Sequence, residues 1–315
     1  MGGGTVGAGG ARILVIRLGA LGDFVQSMGA FAAIRRHHPD AHITLLTTAP
    51  YAALGDASGY VDRVWIDDRP PAWRVGAWLG LRRRLRAGQF DFVYDLQTSD
   101  RTGFYFRLFW PGPRPRWSGI ARGCSHPHAN PDRDRMHSLD RQAEQLRMAG
   151  IASVPAPDLA WAEADTARFG LPARVVLLVP GGAPHRPAKR WPADRFADLA
   201  ARLAGAGVAP VVLGGPGEAE IGARIAAACP EARDLTGRTS FLDIAALARD
   251  AAGAVGNDTG PMHLIAAAGC PALVLFSHES DPALCAPRGA AVAVLRRADL
   301  ADLEIDAVWD ALVLR

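Results

Sequence analysis

Lysine is nearly missing from this sequence: of 35 basic residues, 34 are arginine and one is Lys189. Lysine offers a compact point charge and arginine a flat fork, so the two do not substitute at a tight site. The lone Lys189 is therefore a candidate for a role that a guanidinium cannot fill. Cysteine is also scarce. Cys124, Cys229, Cys270 and Cys285 lie far apart with no CxxC, which argues against a disulfide framework and fits a reducing cytoplasm. Cys124-x-His126-x-His128 has no common zinc spacing and reads as loop. No apolar run reaches the roughly 18 residues of a membrane helix; the best stretch, 261–276, contains His263 and is broken by Gly269 and Pro271. Residues 1–11 are Gly-rich without an apolar signal core and read as a frayed, disordered tail. No basic stretch has interleaved aromatics on strands, so nucleic acid is not an expected partner. The dinucleotide fingerprint GxGxxG is absent too.

What is present suits a soluble α/β protein. A length of 315 residues, 49% of them apolar, is enough for two domains of about 100–200 residues each. The net charge of +3 is unevenly divided. Residues 1–160 hold 20 Arg against 14 acids, and residues 69–147 hold 15 Arg against 7. A basic half points to an anionic partner. The Arg-rich stretch 82–86 is a candidate for peripheral contact with a membrane.

Short apolar runs at 12–17, 42–48, 63–66 and 91–95 read as strands, with helices at 23–36 and 75–88 between them. Residues 111–135, rich in Pro, Gly and Arg, resist regular assignment, and 137–149 reads as a helix. The Pro-containing stretch 151–173 reads as a linker. A second series follows: strands at 174–179, 208–213, 253–256 and 271–276, and helices at 193–205, 217–228, 240–250 and 261–268. A closing helix spans 299–313. The alternation predicts two Rossmann-like domains, 12–160 and 161–298, with residues 299–315 closing the chain. Their parallel sheets imply a central cleft, with ligands beyond the carboxyl ends of the strands.

Three loops stand where such ligands bind. The first, 17–23 (RLGALGD), offers Gly19 and Gly22 for close backbone approach. Its Asp23 is either a helix N-cap or a carboxylate held as a general base. The second, 179–192 (VPGGAPHRPAKRWP), resembles a phosphate cradle, with N–H groups from Gly181 and Gly182 and charge from Lys189. The third, 257–263 (NDTGPMH), runs into a helix whose first-turn N–H groups are unpaired. Thr259 and Gly260 could hold a diphosphate there, and Asp258 caps the helix or accepts from sugar hydroxyls. His263 is either a core histidine or a site residue. Asp132-x-Asp134 looks like a metal-binding DxD but sits between arginines rather than after an apolar strand, so no metal is expected.

Taken together, LGALGD, PGGAPHRPAKRWP and GNDTGPMHLIAAAGCP, the last followed by Ser280-Asp281-Pro282, resemble glycosyltransferase family 9, the ADP-heptose:lipopolysaccharide heptosyltransferases, over about residues 12–296. The resemblance implies a GT-B fold and metal-independent, inverting transfer, with no cofactor beyond the nucleotide-sugar donor. It implies an anionic lipopolysaccharide-core acceptor on the N-terminal half and a cytoplasmic site of action. It makes Asp23 the general base on the acceptor hydroxyl and Lys189 the contact to donor phosphate and sugar. It assigns Asp258, Thr259 and Gly260 to the heptose hydroxyls and diphosphate, His263 to the site, and Asp234 to the ribose. The sequence departs from the family in lacking a proline after Gly22-Asp23 and in the irregular 111–135 segment. Other GT-B transferases, nucleotide-sugar epimerases and a non-catalytic nucleotide-sugar binder remain open.

Overall fold

A computed structural model describes residues 10–289 and 291–315; most of the expected frayed tail, residues 1–9, lies outside them. Contacts divide the chain into two units, up to Pro157 and from Asp158 onward. In the first unit the strands are β1 (Arg12–Ile16), β2 (His42–Thr47), β3 (Arg63–Ile66), β4 (Phe92–Asp95), β5 (Arg116–Gly119) and β6 (His126–Pro127). The helices are α1 (Leu21–Gln26), α2 (Met28–His37), α3 (Ala52–Ala57), α4 (Val75–Ala87), α5 (Asp100–Arg107) and α6 (Ser138–Met148). The second unit contains β7 (Val175–Val179), β8 (Ala209–Val212), β9 (Arg233–Asp234), β10 (Gly253–Asn257), β11 (Ala272–Phe276) and β12 (Val292–Arg296). Its helices are α7 (Ala193–Gly205), α8 (Ala219–Ala228), α9 (Phe241–Asp250), α10 (Gly260–Ala267), α11 (Pro282–Cys285) and α12 (Ile305–Ala311).

Each unit is one parallel six-stranded sheet. The strand orders are β3-β2-β1-β4-β5-β6 and β12-β11-β10-β7-β8-β9, so both units have the doubly wound order with a switch point beside the first strand. The interiors of the central strands are apolar because helices cover both faces: Leu14, Ile16, Leu177, Leu178 and Val255 are all buried. Trp117 with Phe106 fills one core, and Trp191 with Phe196 the other.

Helices α3, α5 and α11 and strands β9 and β12 have no counterpart in the sequence reading, and four further features differ from it. The irregular 111–135 segment supplies β5 and β6, two short outer strands. The single helix expected at 23–36 begins at Leu21 and is interrupted at Ser27, whose hydroxyl bonds back to Asp23 O (2.9 Å). The expected linker packs on both units: Arg36 donates to Ser153 O (3.1 Å), and Leu159 N donates to Ala267 O (2.9 Å). The closing helix is shorter than 299–313. It rests on α7 through Arg195–Glu304 (2.6 Å) and Arg202–Asp306 (2.5 Å).

Candidate active site

In the first unit, chemistry gathers beyond β1 and β4, the two strands flanking the switch point. The loop after β1 is held by the loop after β4: Gln97 Oε1 accepts from Leu18 N (2.9 Å) and Gly19 N (2.8 Å). A Cβ on Gly19 would lie 3.0 Å from the Gln97 amide, so glycine is what lets this side chain close over the turn. Gly22 and Asp23 lie in the first turn of α1, whose N-cap is Ala20. The N-cap reading of Asp23 is therefore set aside. Its half-exposed carboxylate pairs with buried Arg17 instead, with Nη2 3.1 Å from Oδ1. Arg17 Nη1 also donates to Leu96 O (2.5 Å), tying the pair to the β4 end. Burial pulls the Arg17 guanidinium below its ordinary value and the Asp23 charge opposes that. A guanidinium does not deprotonate in proteins, so Arg17 is a fixed cation orienting Asp23.

More positive charge surrounds this pair. Arg69 donates to Leu18 O, Arg133 Nη2 donates to Thr98 Oγ1 (2.9 Å), and the field of Arg141 acts on both Arg17 and Asp23. Asp95, at the end of β4, is fully buried, and burial pushes its carboxyl up to about 7. None of Gln97, Arg133, Arg141 or Asp95 was singled out from sequence. The rule that ligands sit beyond the strands at a switch point is the signal that would have drawn attention to residues 95–98.

In the second unit the equivalent position lies beyond β7 and β10. Asn257, the last residue of β10, is buried and staples both neighbouring loops. Its Nδ2 donates to Pro180 O (2.8 Å) and Gly181 O (3.2 Å), and its Oδ1 accepts from Trp191 N (3.0 Å). This places Gly181 and Gly182 at one side and the turn bearing Lys189 at the other. Lys189 Nζ lies 2.6 Å from Asp258 Oδ2, with the side chains 13% and 7% exposed. Ser280 Oγ donates to the same oxygen (2.5 Å). A carboxylate this deeply buried requires such partners. The sequence marked Ser280 only as part of a motif and gave Asn257 no role.

Thr259 is the N-cap of α10 and makes no side-chain cap bond, and Gly260 opens the helix. The helix sits tightly on the sheet because Gly256 has no side chain: a Cβ there would lie 2.5 Å from Met262 Sδ. His263, one turn into α10, is 7% exposed. Asp234 stands apart. It ends edge strand β9, two strands from β7, and its Oδ1 accepts from Thr236 N (2.9 Å) and Oγ1 (2.7 Å). The weak metal motifs do not assemble: among the described residues no cluster of three or more His, Cys, Asp or Glu is placed to hold a metal. Cys124 reaches Gly119 O, His126 reaches Ser125, and His128 reaches Glu144. Asp134 pairs with Arg133 (2.9 Å).

The comparisons with known proteins agree in direction. Residues 78–304 match Glycosyltransferase family 9 (heptosyltransferase). Lipopolysaccharide heptosyltransferase 2 of Salmonella typhimurium is 26% identical over 294 residues, covering 85% of this chain and 83% of that protein. The solved E. coli ADP-heptose lps heptosyltransferase II aligns with TM-score 0.78 at 22% identity, over 95% of this chain and 97% of that one. E. coli heptosyltransferase WaaC with ADP aligns with TM-score 0.76 at 22% identity, over 95% and 98% of the two chains. The family match spans more than half of the sequence, and the chain therefore belongs to glycosyltransferase family 9 and is a glycosyltransferase of the GT-B fold.

Proposed function

We propose that this protein transfers heptose from ADP-L-glycero-D-manno-heptose to the inner core of lipopolysaccharide, with inversion at the anomeric carbon. The observation that carries the reading is the Lys189–Asp258 pair (2.6 Å) beside the N-terminus of α10. Lys189 offers a point charge to the donor diphosphate, and the N–H groups opening α10 after Thr259 and Gly260 add the positive end of a helix dipole. Both act on charge that grows as the C–O bond to the β-phosphate breaks and its electron pair leaves with ADP. The proposed reaction calls for no metal, because protein groups meet that charge. Asp258, neutralised by Lys189, accepts from heptose hydroxyls. Gly181 and Gly182 offer backbone to the phosphates, and His263 lines the same turn. We assign Asp234 to the ribose on the family resemblance alone.

On the acceptor side Asp23 takes the proton of the attacking hydroxyl. A carboxylate is a weak base for an alcohol, so proton transfer accompanies bond formation rather than preceding it. Arg17 fixes the carboxylate, Gly19 and Gly22 shape its loop, and the arginines around it suit an anionic sugar acid. The scattered cysteines fit a cytoplasmic reaction.

Nucleotide preference tests the donor assignment. A ligand that binds only the folded state raises its stability by RT ln(1 + [L]/Kd). ADP is expected to raise the melting temperature where UDP, GDP and NAD do not, and Asp23→Asn is expected to keep that shift while losing transfer. A shift with UDP alone would favour an epimerase or another GT-B transferase. Full transfer by Asp23→Asn would remove the base assignment.

A further inference from the structure

Helix α4 rests lightly on the core, with Trp78 and Leu81 packed against it while partly exposed. Of its 13 residues only Leu85 is buried, and a Cβ on Gly76 or Gly80 would meet nothing. With α5 it borders an open apolar groove of about 500 Å³ lined by Ala72, Val75, Trp78, Leu79, Phe104 and Leu108. Apolar side chains project around it: Trp73 is 81% exposed, Val75 63%, Leu79 53% and Trp110 64%. Monomeric proteins rarely leave such a patch without a partner.

The surrounding charge identifies the partner. From residue 69 to 130 there are 11 arginines and three acids, one of which, Asp95, is buried. Arg74, Arg83, Arg86, Arg107 and Arg114 are exposed. Arg86, Arg114 and Arg116 line a second hollow of about 470 Å³. Residues 108–110 connect the two hollows, since Leu108 lines the first and Phe109 the second, and Arg82 donates to both Leu108 O and Trp110 O. Two exposed tryptophans on an apolar surface ringed by arginine are the composition of an interfacial membrane anchor. No described helix is long and apolar enough to cross a membrane, so the face would lie on a bilayer.

We propose that the α4–α5 face docks on an anionic phospholipid bilayer, with Trp73, Leu79 and Trp110 in the interface and the arginines on lipid headgroups. The face leads directly to the Asp23 loop: the chain passes from Arg69, which holds Leu18 O, to Ala72 at the groove. Docking would bring a membrane-borne acceptor to the base. The inference rests on this face alone and stands whether or not heptose is the sugar.

Vesicle flotation tests it with the full chain. Phosphatidylcholine vesicles containing 30 mol% phosphatidylglycerol are compared with phosphatidylcholine alone at low salt and at 0.5 M NaCl. The expected result is binding to anionic vesicles only, reduced on the order of tenfold or more by high salt or by Arg83→Glu with Arg86→Glu. Trp73→Ser with Leu79→Ser, both at exposed positions, should lower binding similarly with an unchanged melting temperature. Absence of binding to anionic vesicles at low salt, or binding unaffected by both double variants, overturns the proposal. So does a dimer in solution that Leu79→Arg dissociates without any vesicle binding, because a second copy would then cover the groove.

Discussion

Replacing Lys189 with methionine keeps the length of the side chain and removes its charge. In the native protein Nζ is 2.6 Å from Asp258 Oδ2, and the two side chains are 13% and 7% exposed. Breaking a buried pair by removing one partner costs about 3–5 kcal/mol, because the remaining charge is stranded. Here Ser280 Oγ still donates to the same oxygen, so the expected loss is smaller, about 2–3 kcal/mol. For the second unit, Asp158–Arg315, that corresponds to a fall in melting temperature of about 5–10 °C. Asp258→Asn removes the other charge, and the double variant removes both. If the pair is one unit, the double variant is less destabilised than the sum of the singles, by about 1–3 kcal/mol. Urea unfolding of the four proteins measures this directly. ADP titration calorimetry on the same set measures the second consequence, a loss of affinity of about tenfold or more for Lys189→Met from one charge-assisted contact to phosphate. A melting temperature within a degree of wild type, or strictly additive variants, would refute the pair as an energetic unit. Unchanged ADP affinity would refute its place at the phosphates.

Three further outcomes follow from the geometry. The Asp95 carboxyl is raised by burial to about 7, so between the ordinary carboxylate range and pH 7 the folded state binds a proton that the unfolded state has lost. The contribution of this group to stability is therefore full at low pH and falls as pH rises toward 7. Asp95→Asn should be more favourable relative to wild type at pH 8 than at pH 5 in paired urea titrations, and a difference independent of pH would contradict this. Asn257→Ala removes the bonds to Pro180 O, Gly181 O and Trp191 N; a loss of about 2–4 kcal/mol is expected in denaturant unfolding, with weakened ADP binding because both loops that we assign to the donor are released. Gly256→Ala would place a Cβ 2.5 Å from Met262 Sδ and 2.6 Å from Val179 Cβ, an overpacking expected to cost about 1–3 kcal/mol. A neutral result in thermal unfolding would mean that α10 can move off the sheet.

The central strands were readable because each is a continuous apolar run buried on both faces, as in β1 (RILVI) and β7 (VVLLV). Several outer strands were not, although edge strand β3 (RVWI) was. β5 (RWSG), β6 (HP) and β9 (RD) are two to four residues long and lack a period; they are strands only because a sheet edge is there to pair with. The break at Ser27 was hidden for a related reason: it depends on a hydroxyl bonding back to Asp23 O, which no apolar spacing records. Lys189 stood out by its rarity, and Asp258 by its place between a strand and a helix. Their contact was invisible, since 69 residues separate them. Arg17, Gln97 and Asn257 escaped notice because each works by holding backbone from a distant loop, and tertiary pairing of this kind leaves no local pattern. Asp23 was singled out in the sequence, but Arg17, the partner that its carboxylate faces, was not.

Transfer itself is the most direct test. The protein is incubated with ADP-L-glycero-D-manno-heptose and a lipopolysaccharide inner-core acceptor lacking heptose, and a parallel reaction uses Asp23→Asn. The expected product carries a new glycosidic bond, with ADP released in equal amount and anomeric configuration opposite to the donor, read by NMR. Asp23→Asn is expected to lower turnover by about 10²–10⁴-fold with ADP affinity within about twofold. Retention of configuration, or undiminished turnover by Asp23→Asn, would contradict the account, as would transfer from a UDP-sugar and not from the ADP-sugar.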